Sequence, residues 1–131
     1  MNENTLYFID YKSYFKLVNI DYSKLISNKP KTYINNMLLN HFTTLEGRMN
    51  AIKSISNSNY NIPIYINSHL LFFKVQTNPD IWVNLFHIHN ISNKTLIFSN
   101  GNTLRVNRSN KSLVKSFNSA TKLYAIIKGR E

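Results

Sequence analysis

Asn100-Gly101 sits between two short runs of apolar and β-branched residues, Thr95–Phe98 and Leu104–Val106. A two-residue connection of this type is the strongest short-range hairpin signal, because a type I′ turn needs positive φ at both central positions and Asn and Gly tolerate it best. The pair therefore predicts an antiparallel hairpin over Thr95–Val106. In a two-residue register Ile97 faces Leu104 and Thr95 faces Val106, while Arg105 lies on the opposite side across from Leu96. After the hairpin the hydrophobic period changes to that of a helix. Leu113, Phe117, Ala120, Tyr124 and Ile127 form one apolar stripe, Ser109 or Asn110 can cap its start, and Gly129 reads as its C-cap. Lys111, Lys115 and Lys122 fall near the opposite face.

The rest of the chain reads as strands with one helix among them. Leu6–Ile9, Tyr14–Val18 and, more weakly because of Asn35 and Asn36, Tyr33–Leu39 have strand composition; Ser27–Lys31, which holds Pro30, reads as a loop. Thr43–Ser56 predicts a short helix capped by Thr43 or Thr44, with Leu45, Met49, Ile52 and Ile55 at helical spacing, although Gly47 argues against a regular start. Ser56–Asn61 reads as an exposed loop. Ile62–Ile66 carries Pro63 and so predicts an edge strand. Leu70–Val75 and Ile81–Ile91 read as further strands, joined by the turn Thr77-Asn78-Pro79-Asp80. With no repeat, linker or composition break, residues 1–131 predict one α+β domain. Its expected form is a small antiparallel sheet or partly open barrel with a short central helix and a C-terminal amphipathic helix.

At 131 residues and 43% apolar composition the chain can bury a core without staples, and the absence of cysteine excludes disulfides and thiolate zinc sites. No stretch approaches the ~20 apolar residues of a membrane helix, and the longest, Leu70–Val75, is broken by Lys74. Met1–Phe8 lacks the pattern of a signal peptide, so a soluble, cytoplasmic protein without membrane association is expected. Sixteen Lys and Arg face six Asp and Glu, a formal charge of +10. Such an excess attracts polyanions, nucleic acid first among them. The plainer explanation is the codon bias of an AT-rich genome, which the many Asn residues also fit.

His87 and His89 would share one face of a strand and offer two imidazoles, but no third ligand lies close in sequence; no metal is expected. The carboxylates Glu3, Asp10, Asp21, Glu46, Asp80 and Glu131 are scattered. Gly47, Gly101 and Gly129 cannot form a phosphate-cradling loop or a dinucleotide fingerprint. Neither an enzyme nor a cofactor is expected; a nuclease using His87 or His89 is the least implausible catalyst. The candidate nucleic-acid-binding residues are Arg105, Arg108, Lys111, Lys115 and Lys122, running from the hairpin into the last helix, with Arg48 and Lys53 on the earlier one. Backbone N–H groups at the start of the last helix would add to a phosphate site.

Several motifs, in order, resemble the ComK family of competence transcription factors. Phe42-Thr43-Thr44-Leu45-Glu46-Gly47-Arg48 stands where the family has GSSYxGR. Ile62-Pro63-Ile64 and Leu71-Phe72-Phe73 are similar to its next strands. Ile81-Trp82-Val83-Asn84, with His87-Ile88 soon after, resembles its WIS strand. Thr95–Leu104 resembles its FSNG hairpin, and the resemblance spans Tyr33 to Ile127. It implies an activator that binds paired AT-rich boxes through the minor groove and forms homo-oligomers on DNA. Readout of a narrow A·T groove by Arg and Lys is physically coherent, since such grooves concentrate negative potential. Three departures bear on function. Ser116, Ser119 and Ala120 stand where the family has a Gln and an Arg-Thr pair, which weakens function if that Arg touches DNA or a neighbouring subunit. The Cys before the Trp is missing. The chain also stops soon after the helix, so by this resemblance it is expected to lack the tail that brings the activator to its degradation adaptor. Two alternative expectations are a phage- or mobile-element-encoded inhibitor of a host nucleic-acid-processing protein such as a nuclease, and a dominant-negative partner of a full-length ComK.

Overall fold

Two antiparallel meanders, each of three strands, are joined edge to edge into a single sheet. The computed structural model describes residues 1–56 and 62–130; residues 57–61, expected as an exposed loop, lie outside the described residues. The first meander is β1 (Thr5–Asp10), β2 (Phe15–Asn19) and β3 (Ser23–Ile26). The second is β4 (Ile64–Asn67), β5 (Leu70–Gln76) and β6 (Asp80–Asn84). β1 and β6 pair with Phe8 opposite Trp82, giving the order β3-β2-β1-β6-β5-β4. β4 is an edge strand, in keeping with Pro63 immediately before it.

Side-chain alternation covers both faces of this sheet. Phe8, Phe15, Leu17, Phe72 and Trp82 pack on one face against Ile34 and Leu38 of helix α1 (Pro30–Leu39) and Leu45 of helix α2 (Leu45–Ser56). The Phe8 and Phe72 rings meet edge to face at 5.0 Å. On the other face Leu71, Phe73, Ile81 and Val83 pack under a second, three-stranded sheet and a long helix. The small sheet is β7 (Ile88–Ser92), β8 (Thr95–Phe98) and β9 (Thr103–Arg105); the helix is α3 (Asn110–Arg130). Tyr7 stacks on Phe98 at 5.6 Å, joining the two sheets, and burial, then neighbouring Tyr11, raises its phenol pKa. Ile52, Ile62, Leu123 and Ile127 form a third cluster that ties α2 to α3. The class is α+β, and the strands form two open sheets instead of a closed barrel.

Four expectations need correction. Tyr33–Leu39 is helix, not strand, and the helix begins inside the expected loop, at Pro30. Pro suits a first helical position, where its missing N–H is no loss, and Ile34 and Leu38 are one turn apart on the buried face. Asn35, which had weakened the strand reading, accepts the Leu45 N–H at 2.9 Å and holds the start of α2.

Ile81–Ile91 is not one strand. β6 ends at Asn84, and a 3-10 turn, Leu85–His87, carries the chain to the small sheet. The hairpin slips by one residue: Leu96 pairs with Leu104 and Thr95 with Arg105. Only Gly101 takes a positive φ (+90), the Gly101 N–H donates to Phe98 O, and the Phe98 N–H donates to Asn102 O, so the loop has three residues. This register sets Leu104 beside the completely buried Leu96, where the two-residue loop would have set Arg105. Finally, Gly129 lies within α3, not at its cap, since the helix runs to Arg130.

Of the two candidate caps for α2, Thr44 is the one used, its Oγ1 accepting the Gly47 N–H at 3.0 Å. A Cβ at Gly47 would stand 3.1 Å from that oxygen, so glycine in the first turn leaves the cap room. Ser109 caps α3, accepting the Ser112 N–H at 3.2 Å. The α3 stripe buries Leu113, Ala120 and Ile127 with Phe117 and Tyr124 partly covered, and adds Leu123.

Candidate nucleic-acid interface

Half of the sixteen basic residues follow Ile91, and no Asp or Glu occurs between Asp80 and Glu131. Helix α3 displays several of these cations beside an open groove of about 530 Å³. Lys115, Lys122 and Ser119 form its α3 rim, and Lys74 of β5 and Arg108 reach it from the sheet side; Phe73, Leu123 and Ile126 give it apolar walls.

Arg108 braces the groove. Its Nη1 donates to the Lys74 carbonyl at 2.9 Å, Nε to Ser112 Oγ at 3.1 Å, and Nη2 to Ser116 Oγ at 2.7 Å and the Ser112 carbonyl at 3.1 Å. These charge-assisted bonds pin the first turns of α3 to β5. Lys74 lies over the Trp82 ring at 5.2 Å and pairs with Asp80 at 3.4 Å, the one ion pair among the described residues. Lys115 and Lys122 are exposed, and no carboxylate pairs with either among the described residues. The groove presents ammonium groups, serine hydroxyls and a locked guanidinium, a set of donors chemically suited to a phosphate.

The remaining candidates sit elsewhere or serve the fold. Lys111 is exposed one turn before Lys115, on the same side of the helix. Arg105 is exposed on β9 and reaches the Asn93 carbonyl at 3.5 Å. Arg48 donates to the Ile66 carbonyl at 2.9 Å and lies over the Tyr65 ring, so it fastens α2 to β4. Lys53 lines a separate shallow hollow between α1 and α2 with Lys31, Glu46 and Asn50. One of the N–H groups expected to bind phosphate at the start of α3 is taken by the Ser109 cap. His87 and His89 do not share a strand. His87 bonds the Glu3 carbonyl through Nε2 and approaches Ser99 Oγ at 3.3 Å, and His89 is exposed on β7. The described residues contain no group of three or more His, Cys, Asp or Glu placed to hold a metal. None of their helices is long and apolar enough to cross a membrane.

Sequence reasoning left Lys74 and Ser112 out of the candidate site and weighed Ser116 and Ser119 only as departures from the family pattern. Lys74 was legible only as a charge interrupting an apolar run, and Ser112, Ser116 and Ser119 recur at helical spacing, a stripe that a search for cations ignores.

The family model described as ComK protein matches residues 1–131, the whole chain. The chain belongs to the ComK family. No curated protein and no solved structure matches it. ComK proteins are competence transcription factors and not enzymes. The match extends the resemblance beyond Tyr33–Ile127 to the first meander, which supplies half of the central sheet. Of the positions where this ComK chain departs from the family pattern, Ser116 and Ser119 line the groove, whereas Ala120 is completely buried.

Proposed function

We propose that this ComK-family protein regulates transcription by binding AT-rich duplex DNA along the outer side of α3. The carrying observation is the pair of exposed cations, Lys115 and Lys122, on the rim of a groove whose inner wall Arg108 locks to β5. Lys111 and Arg105 extend the basic track toward the small sheet. In this reading the two lysines supply charge beside Ser119, where the family pattern has arginine. Arg108 acts by holding the helix in place, and its own donors are directed at protein. A role on chromosomal DNA places the protein in the cytoplasm.

Fluorescence anisotropy with an AT-rich duplex at several salt concentrations tests the reading. Each neutralised phosphate contributes about −0.9 to the slope of log K against log salt, so two to four contacts give a slope of about −2 to −4. Affinity then falls more than about tenfold between about 50 and 200 mM salt. Replacing both lysines, Lys115→Ala with Lys122→Ala, lowers the slope by about two and weakens binding to all duplexes alike. A salt response shallower than tenfold overturns the proposal. So does failure to bind DNA together with a stoichiometric protein partner that survives nuclease treatment of a lysate, the result expected of an inhibitor.

A further inference from the structure

Asn100-Gly101 is the one Asn-Gly step in the sequence, and both residues are exposed at the tip of the small sheet. Such a step can modify itself. The Gly101 main-chain nitrogen attacks the Asn100 side-chain amide carbon, and a new C–N bond forms while the bond to Nδ2 breaks. The Gly101 hydrogen leaves with Nδ2 as ammonia, and a cyclic imide remains. Water then opens the imide. Breaking the bond to the side-chain carbonyl gives aspartate; breaking the bond to the main-chain carbonyl gives isoaspartate, which carries an extra main-chain carbon. Glycine suits the attack because no side chain shields its nitrogen. Nothing lies within 4 Å of where a Gly101 Cβ would stand, so neighbouring groups do not cover the step either.

The closed hairpin withholds both reacting groups. The Gly101 N–H donates to Phe98 O at 2.9 Å, so the hydrogen that must leave is already engaged. Asn100 Oδ1 accepts the Asn102 N–H at 3.1 Å, which commits the amide to the residue beyond its attacker. Both bonds belong to the three-residue loop, which the pairing of Leu96 with Leu104 and the complete burial of Leu96 hold in place. Local opening of the sheet frees both groups together. We propose that Asn100 is a self-modification site gated by the small sheet, silent while the hairpin is closed and reactive once β8 and β9 separate. The isoaspartyl product lengthens the main chain between Phe98 and Asn102, where the Phe98 N–H and Asn102 carbonyl close the loop at 2.8 Å. A chain that has reacted in this way loses the register that buries Leu96. The damage extends past the tip, because β9 continues through the buried Val106 toward α3. A single lasting opening therefore marks the molecule permanently, whatever the α3 groove binds.

Peptide mass spectrometry on the full chain, aged in native buffer and in guanidinium chloride at one pH and temperature, provides the test. In denaturant Asn100 converts to isoaspartate and aspartate and takes up oxygen from isotopically labelled water. The folded protein reacts at least about tenfold more slowly, the factor that 1.4 kcal/mol of opening free energy represents. Gly101→Ala slows the reaction in denaturant, which direct hydrolysis of the amide would not show. Leu104→Ala loosens the strand pairing without touching the reacting groups, so it speeds conversion of the folded protein and leaves the denatured rate unchanged. The isoaspartyl fraction, once refolded, melts below Asn100→Asp, whose carboxylate still accepts the Asn102 N–H. Equal rates in buffer and denaturant, or no acceleration by Leu104→Ala, overturns the gate. Absence of conversion in denaturant overturns the site itself, and an isoaspartyl fraction with unaltered melting overturns the permanent mark.

Discussion

Asn84 is completely buried at the junction of the two sheets and uses both ends of its amide. Nδ2 donates to Thr5 O at 2.9 Å and His69 O at 3.0 Å, while Oδ1 accepts the Leu71 N–H at 3.3 Å and the Phe86 N–H at 3.4 Å. A strand that simply continued would leave these main-chain groups unpaired, so the residue ends β6 and releases the chain toward the small sheet. Asn84→Ala removes every one of these bonds, of which those with Thr5 O and the Leu71 N–H are fully buried. We expect it to lower unfolding stability by about 2–4 kcal/mol, since each orphaned buried polar group costs about 1–3 kcal/mol. The shift of the urea midpoint measures the loss, and a change below about 0.5 kcal/mol would show that water reaches the junction. At the same scale Arg108 and Lys115 show why cations alike in sequence differ in role. The guanidinium of Arg108 is directed at protein acceptors, whereas the ammonium of Lys115 projects from the groove rim into solvent.

Among the elements, the hairpin and α3 each contain a glycine whose role depends on backbone geometry. Gly101 takes φ +90 and a Cβ there would touch nothing, so Gly101→Ala costs only the conformational penalty, about 1–2 kcal/mol. Gly129 lies in the last turn of α3 with open space around it, so Gly129→Ala stabilises, by up to about 1 kcal/mol. Opposite signs in paired urea titrations are the expected outcome; destabilisation at Gly129 would mean that it ends the helix in a left-handed cap after all. The strand reading of Tyr33–Leu39 failed for a related reason. A short apolar run of aromatic and β-branched residues fits both periods, and only the packing of Ile34 and Leu38 on the sheet selects the helix.

Across the whole molecule, a charge of +10 is relieved by one internal ion pair among the described residues. Like charges then repel within the folded state more than in the expanded chain. Raising ionic strength from about 0.01 to 0.1 M shortens the screening length from ~30 to ~10 Å. We expect the melting temperature of the free protein to rise by a few degrees over that range, while DNA affinity falls. A melting temperature that drops with salt would show that attractive pairs dominate and would remove the case for an unneutralised basic surface.

The hairpin turn, the capped C-terminal helix, the edge strand with its proline and the cationic surplus were all legible in the sequence, because each follows from local chemistry or from counting. So was the α+β class, which needs only the two hydrophobic periods. Tertiary structure alone decided which loop length the Asn100-Gly101 turn adopts, since the choice depends on burying Leu96 beside Leu104. It alone assigned Arg48 and Arg108 to bracing and left Lys115 and Lys122 facing solvent. The basic groove exists only because packing brings β5 beside α3, placing Lys74 near residues about 40 positions later in the chain. A contact between residues so far apart reflects burial shared by the whole fold, which no local window of sequence contains.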